Sequence, residues 1–225
     1  MPGYQVKYET VSIGGTDYLI RSLLDLQQFS DPLGAAAAAG ISSATWPLFG
    51  RIWPSARILA AAMDTYPLQG RRILEIGSGL ALASLVVHRR DGDVTVSDCH
   101  PLSEVFLKEN LLLNRLGPIS YRTGRWGEAN PLLDRFDLII GSDILYERDH
   151  PVQLAAFIDR HAAAAVEVFI VDPDRGHQAG FRRAMAALGY SHTSRRVDVL
   201  LDDGEPYKGR FLSFRLGAPA AGLAP

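Results

Sequence analysis

The sequence holds a single cysteine, Cys99, in 225 residues. One thiol cannot close an internal disulfide or build a cysteine-based zinc site. The six histidines show no ligand spacing, so no metal site is expected. There is no excess of one charge: 23 Lys and Arg stand against 25 Asp and Glu, for a net charge of −2. That balance excludes a global basic field of the kind that drives nucleic-acid binding. No apolar run approaches the roughly 18 residues of a membrane-spanning helix. Met1 to Gly15 lacks the basic stretch followed by an apolar one that marks a secretory leader. These absences set the expectation of a soluble, cytoplasmic protein with no membrane or nucleic-acid partner.

What is present suits one α/β domain with an N-terminal extension. A hydrophobic content of 47% supports a sizeable core. Residues 1–45 read as extension, 46–217 as the main domain and 218–225 as a frayed tail. Tyr4–Ile13 and Thr16–Leu23 flank Gly14-Gly15, the pattern of a β-hairpin. Gln27–Thr45, with five alanines between Gly34 and Gly40, reads as a mobile or partly helical linker. Trp46-Pro47 and Trp53-Pro54 follow. Proline suits the first position of a helix, and tryptophan beside it packs as an anchor more often than it touches a ligand.

The centre of the chain is Arg71-Arg72-Ile73-Leu74-Glu75-Ile76-Gly77-Ser78-Gly79. A buried strand runs into a glycine turn, and a helix is expected over Leu80–Val87. Such a unit holds a ligand at a strand's carboxyl end, beside a helix N-terminus. Strand and helix then alternate: strands at Val94–Asp98, Ile119–Thr123, Phe136–Gly141 and Val166–Val171, and helices at Leu102–Leu116, Val152–Ala164 and Phe181–Leu188. Near-continuous apolar strands between helices imply a mainly parallel sheet covered on both faces. Tyr190–Leu201 and Gly209–Leu216, with no helix between them, imply an antiparallel pair at the sheet edge. The expected architecture is a doubly wound, mainly parallel seven-stranded sheet with an antiparallel edge and an N-terminal hairpin.

Glu75, Asp98, Arg125-Trp126 and Asp143 all fall just after or at the end of expected strands, where ligands bind in open α/β sheets. Asp98 lies where a ribose-binding acid belongs. Glu75 is ill suited to a pyrophosphate but can compensate a cation. Trp126 can stack on adenine, or pack in the core. Leu82 stands where a dinucleotide glycine motif needs its third glycine, and no second, substrate-binding domain is recognised, so an NAD oxidoreductase is disfavoured. S-adenosylmethionine, with a sulfonium cation and no pyrophosphate, fits better.

Glu75-Ile76-Gly77-Ser78-Gly79, Asp98, Trp126 and Ser142-Asp143-Ile144-Leu145-Tyr146-Glu147 together resemble the seven-β-strand S-adenosylmethionine-dependent methyltransferases. More narrowly they resemble methyltransferase family 16, which includes many protein lysine methyltransferases. The D-x-x-Y pattern of Asp143–Tyr146, the Trp53-Pro54 helix start and the Asn110/Asn114 spacing carry that resemblance. Asp172-Pro173-Asp174-Arg175 is similar to the bacterial branch acting on the electron-transfer flavoprotein β-subunit. Ala81 departs from the pattern, which often has a third glycine there; packing against the sheet needs only a small residue. The resemblance implies that Glu75, Gly77, Ser78, Gly79 and Asp98 hold the cofactor, with Trp126 beside the adenine and Trp53, Cys99 and Ser142 lining the site. Asp143 and Tyr146 would stand where the methyl group meets its acceptor. His100 is expected to line the site, and His150 to lie near a helix start. The implied activity is methyl transfer to a lysine amine of a protein. A small-molecule amine methyltransferase and a cofactor-binding scaffold without catalysis are the alternatives.

Overall fold

The computed structural model describes residues 3–217; the tail expected over 218–225 lies outside them. Strands β1 (Val6–Ile13) and β2 (Thr16–Leu23) pair antiparallel, with Ile13 opposite Thr16 across Gly14-Gly15. Both glycines have positive φ, +57° and +80°, the backbone that a tight two-residue hairpin turn demands. A single turn of helix, α1 (Ala35–Ala38), follows, bounded by the left-handed Gly34 and Gly40. The segment Trp46–Gly50 forms a 3-10 turn, and α2 (Pro54–Thr65) starts with Pro54 at its first position.

The main sheet combines β3 (Arg72–Ile76), β4 (Asp93–Asp98), β5 (Ser120–Thr123), β6 (Phe136–Ser142), β7 (Ala162–Asp172), β8 (Ser191–Leu200) and β9 (Pro206–Leu216). Their order is β5-β4-β3-β6-β7-β9-β8. The five strands from β5 to β7 are parallel, and β9 pairs antiparallel with both β7 and β8. The expected antiparallel pair is therefore present, with the reversed strand β9 lodged inside the edge strand β8. The helices α3 (Leu82–Arg89), α4 (Ser103–Leu113), α5 (His150–His161) and α6 (Gln178–Ala187) complete the layers.

Alternation along each strand splits the core in two. On β3, Ile73 joins the cluster formed with α2, α3, α4 and the hairpin, whereas Leu74 and Ile76 join the cluster beneath α5 and α6. The chain leaves β3 toward β4 and β5, then returns to the other side of β3 as β6. The reversal opens a crevice at the carboxyl ends of β3, β4 and β6.

One expectation changes. The helix expected over Val152–Ala164 ends at His161, and Ala162–Ala165 open β7. Alanine favours helix, but Ala162 pairs with Phe136 at the start of the parallel ladder, and Arg135 donates to its carbonyl at 2.7 Å. Tertiary pairing outweighs a propensity of a few tenths of a kcal/mol, on the order of the whole scale. The hairpin is docked on α4. Asn110 Oδ1 accepts from the Arg21 amide at 2.8 Å, and Asn114 Oδ1 from the Leu19 amide at 3.0 Å. The same two side chains donate back to the Arg21 and Leu19 carbonyls. Two asparagines one helical turn apart thus act as a surrogate strand along the edge of β2.

Candidate cofactor and acceptor site

A cavity of about 610 Å³ occupies the crevice at the strand ends. Its floor is the glycine turn between β3 and α3. Gly77 and Gly79 have φ of +57° and +53°. A Cβ on Gly77 would stand 2.6 Å from Ile144 Cγ2 and 3.3 Å from Trp126 Cζ2; one on Gly79 would stand 3.0 Å from the Phe49 carbonyl oxygen. The turn therefore needs glycine for both backbone sign and space. Ala81 also adopts the left-handed region, at φ 58°, and is buried. The third glycine of the family pattern thus answers a backbone requirement, beyond the small size first assigned to it. It also delays α3 to Leu82.

Asp98, at the end of β4, closes the turn. Its Oδ2 accepts from the Gly79 amide and its Oδ1 from the His100 amide, each at 2.8 Å. Burial pushes its carboxyl above the usual range, and those amides pull it back. Each carboxylate oxygen has a second lone pair, so Asp98 can still accept from a ligand. Ser78 lines the cavity, and its buried Oγ has no partner within the described chain.

Trp53, Gly77, Ser78, Gly79, Asp98, Cys99, Trp126, Ser142, Asp143 and Tyr146 all line this one cavity. Glu75 does not. Strand alternation turns it with Ile73 toward α3, where Glu75 Oε2 accepts from the Ser84 amide at 2.9 Å and from the Ser84 hydroxyl. It is 2% exposed, and desolvation raises its pKa to about 7. Glu75 thus stands one layer behind the wall, holding the first turn of α3.

At the far side, Asp143 follows β6 with φ 53°, and its amide donates to the Val171 carbonyl at 2.9 Å. This left-handed kink turns its side chain toward Arg175, whose Nη2 donates to Asp143 Oδ2 at 2.9 Å. Burial raises the Asp143 pKa, and Arg175 partly offsets it. Tyr146 sits on the rim, 41% exposed. Trp53 donates its indole N–H to the Leu48 carbonyl at 2.9 Å and presents its ring to Arg51 and Arg175.

Three further residues shape the cavity beyond the roles first expected of them. His150, the first residue of α5, stands edge-on between Trp126 and Tyr146, at 4.8 and 4.6 Å between ring centroids. His100 is buried, stacked on Phe49 at 3.7 Å, and pushed down to about 3 by desolvation, so it is neutral. Arg175 lies in the Asp172–Arg175 stretch already singled out, but nothing in one dimension pairs it with Asp143. Among the described residues, no group of histidine, cysteine or acidic side chains could hold a metal, and no helix is long and apolar enough to cross a membrane.

A parallel sheet with one reversed strand near its edge, and a ligand crevice over a glycine turn, defines the Rossmann-like methyltransferase fold. A methyltransferase from Pyrococcus furiosus superposes with a TM-score of 0.60 at 19% identity, covering 75% of this chain and 88% of that one. The Thermus thermophilus 16S rRNA N2 G1207 methyltransferase, solved with AdoMet and guanosine, gives 0.62 at 16% identity, covering 92% and 50%. At such identities the likeness is one of fold. The model of methyltransferase family 16, the lysine methyltransferases, matches residues 45–180, more than half of the chain, and the chain belongs to that family. Calmodulin-lysine N-methyltransferase of Arabidopsis thaliana is 30% identical over 136 residues, 55% of this chain and 45% of that protein. The protein N-lysine methyltransferase METTL21A of Danio rerio is 30% identical over 102 residues, 42% of this chain and 47% of that protein. The chain spans about half the length of these curated relatives.

Proposed function

We propose that this protein is an S-adenosylmethionine-dependent methyltransferase acting on a lysine amine of a protein. The observation that carries the reading is the single cavity uniting the glycine turn and Asp98 with Asp143 and Tyr146 at its rim. The residues present fit the cofactor. Two positive-φ glycines leave a cradle that a Cβ would fill, Ser78 Oγ is buried without a partner, and Asp98 keeps lone pairs for ribose hydroxyls. When bound, S-adenosylmethionine supplies an electrophilic methyl group on a sulfonium.

This chain's residues then divide the work. Gly77, Ser78 and Gly79 bring backbone close to the ligand, and Asp98 holds both the turn and the ribose. Glu75 acts from behind, fixing the start of α3 through Ser84. Trp126, braced by His150, offers a face for adenine, with Trp53, Cys99 and Ser142 lining the walls. Asp143 accepts a hydrogen bond from the acceptor nitrogen, and Tyr146 borders its entry. Displacement at a methyl carbon asks mainly for alignment, which is worth roughly 7–11 kcal/mol in well-oriented systems. A lysine amine, with a free pKa of about 10.4, first releases a proton to solvent.

The exposed rim at Tyr146 favours a polypeptide acceptor over a small amine, which calls for a closed pocket. Incubation with labelled cofactor and a heat-treated cytoplasmic extract tests this. Label mapped to lysine in a protein band is expected; label confined to small metabolites would overturn the protein acceptor. Calorimetry should show binding of S-adenosylmethionine and none of NAD.

A further inference from the structure

The proposed reading contains a chemical tension. A lysine amine attacks only when neutral, and a buried carboxylate beside it favours the ammonium. Arg175 bears directly on that tension. Its Nη2 donates to Asp143 Oδ2 at 2.9 Å, and the Asp143 side chain is only 8% exposed. The guanidinium carbon also lies 5.8 Å from the centroid of the Trp53 ring. Among the described residues the other oxygen, Asp143 Oδ1, has no donor of its own.

Arg175 is delivered by a built loop. Buried Asp172 accepts from the Asp174 amide at 2.8 Å and from Gln178 Nε2 at 2.5 Å, and Gly176 turns the chain at φ +93°. Buried Asp172 acts on Asp143 as a like charge, its Oδ2 without a partner among the described residues, and the remaining charged groups around the station are paired or tied nearby. On the β6–α5 side, Glu147 pairs with His150 at 3.3 Å. After β5, Arg125 pairs with Glu128 at 3.0 Å, and Arg51, ahead of α2, lies over Trp53 at 5.2 Å. At the end of β4, Asp98 is tied to backbone amides, and Cys99 is held as a neutral thiol by burial. From β9, the Tyr207 hydroxyl pairs with Ser55 at 3.0 Å. Tyr146, on the rim, is a neutral phenol.

Building on the methyltransferase reading, we propose that Arg175 neutralises Asp143, so that the acceptor amine meets a charge-paired carboxylate and is held as the neutral nucleophile. A carboxylate–guanidinium pair is a dipole. Its free Oδ1 still accepts an N–H from the amine, but the Coulomb attraction that would retain an ammonium is largely cancelled. Each methyl transferred releases one proton from the acceptor nitrogen, and that proton goes to solvent without a basic side chain to receive it. Arg175 touches Asp143 and not the reacting atoms, so it is a positioning residue.

The test is the pH dependence of kcat, which reports groups in the enzyme–acceptor complex, for label transfer to the lysine-bearing band at saturating acceptor, between about pH 6 and pH 10. Arg175→Ala should move the acid limb roughly 1 unit to higher pH, with activity converging on wild type at the alkaline end. Arg175→Lys, which keeps the charge, should restore the limb. Cofactor binding by calorimetry and the thermal midpoint check that Arg175→Ala is folded; should it unfold, Arg175→Gln replaces it. A uniform loss of activity at every pH, or an unchanged profile, would overturn the proposal while leaving the methyltransferase reading intact. Absence of lysine label from the wild-type protein at any pH would remove both.

Discussion

The two ends of the cavity are held in different ways. At the glycine turn, carboxylates are bound by backbone amides: Asp98 by Gly79 and His100, Glu75 by Ser84. At the acceptor end, Asp143 is held by the long side chain of Arg175, itself 46% exposed, and Tyr146 lies open on the rim. Backbone donors are fixed by the strands and helices that carry them, whereas Arg175 reaches Asp143 on a flexible, half-exposed side chain, although its leaving would strand a buried carboxylate. The first arrangement suits a constant ligand, and the second an acceptor that must enter and leave.

This contrast can be broken most sharply at Asp143. Asp143→Ala should cost roughly 100-fold or more in turnover, the scale of a lost alignment, with cofactor affinity within about twofold of wild type by calorimetry. A parallel loss of cofactor binding would mean that the two ends are not separable. Gly77→Ala should do the reverse. Its Cβ meets Ile144 and Trp126 on a left-handed backbone, at about 1–3 kcal/mol, so cofactor affinity should fall about tenfold or more along with the thermal midpoint.

Glu75 sharpens the comparison through pH. Its folded pKa of about 7 exceeds the ordinary 4.5. The folded protein therefore holds this proton more tightly than the unfolded chain, and the stabilising contribution present at low pH is lost between about pH 4.5 and 7. Glu75→Gln removes that dependence. In ligand-free protein its stability relative to wild type should rise from pH 5 to pH 8, by an amount on the order of a few kcal/mol. A flat difference across that window in denaturant melts would refute the burial argument. The smallest effect is expected at Ala81, where glycine relieves a left-handed alanine. Ala81→Gly should leave the thermal midpoint equal or slightly raised, within about 1 kcal/mol, and a marked fall would show that the buried methyl outweighs the backbone strain.

The sheet was readable because buried parallel strands are mainly apolar and end in turn residues, as Ile73–Ile76 and Phe136–Gly141 do. Most of the cavity lining was readable because residues at those strand ends face the crevice: Gly77, Asp98, Trp126 and Asp143 all line it. Glu75, expected to hold the cofactor, does not line the cavity; its alternation with Leu74 and Ile76 points it toward α3. Ala162–Ala164 read as helix because alanine carries no signal of the partner strand. His150 lies outside the quoted motifs and Arg175 at the end of one, and they become neighbours of Trp126 and Asp143 only when α5 and the β7–α6 loop fold over the sheet.

By itself, then, the sequence determined the alternation of strand and helix, the glycine turn and the acids at the strand ends, because these rest on local backbone sterics and on a two-residue period. Tertiary structure alone decided what those acids face. Whether a carboxylate meets an amide, a hydroxyl or a guanidinium depends on contacts between segments distant along the chain, 32 residues apart for Asp143 and Arg175. That is why Glu75 came to hold a helix and Asp143 came to hold a cation.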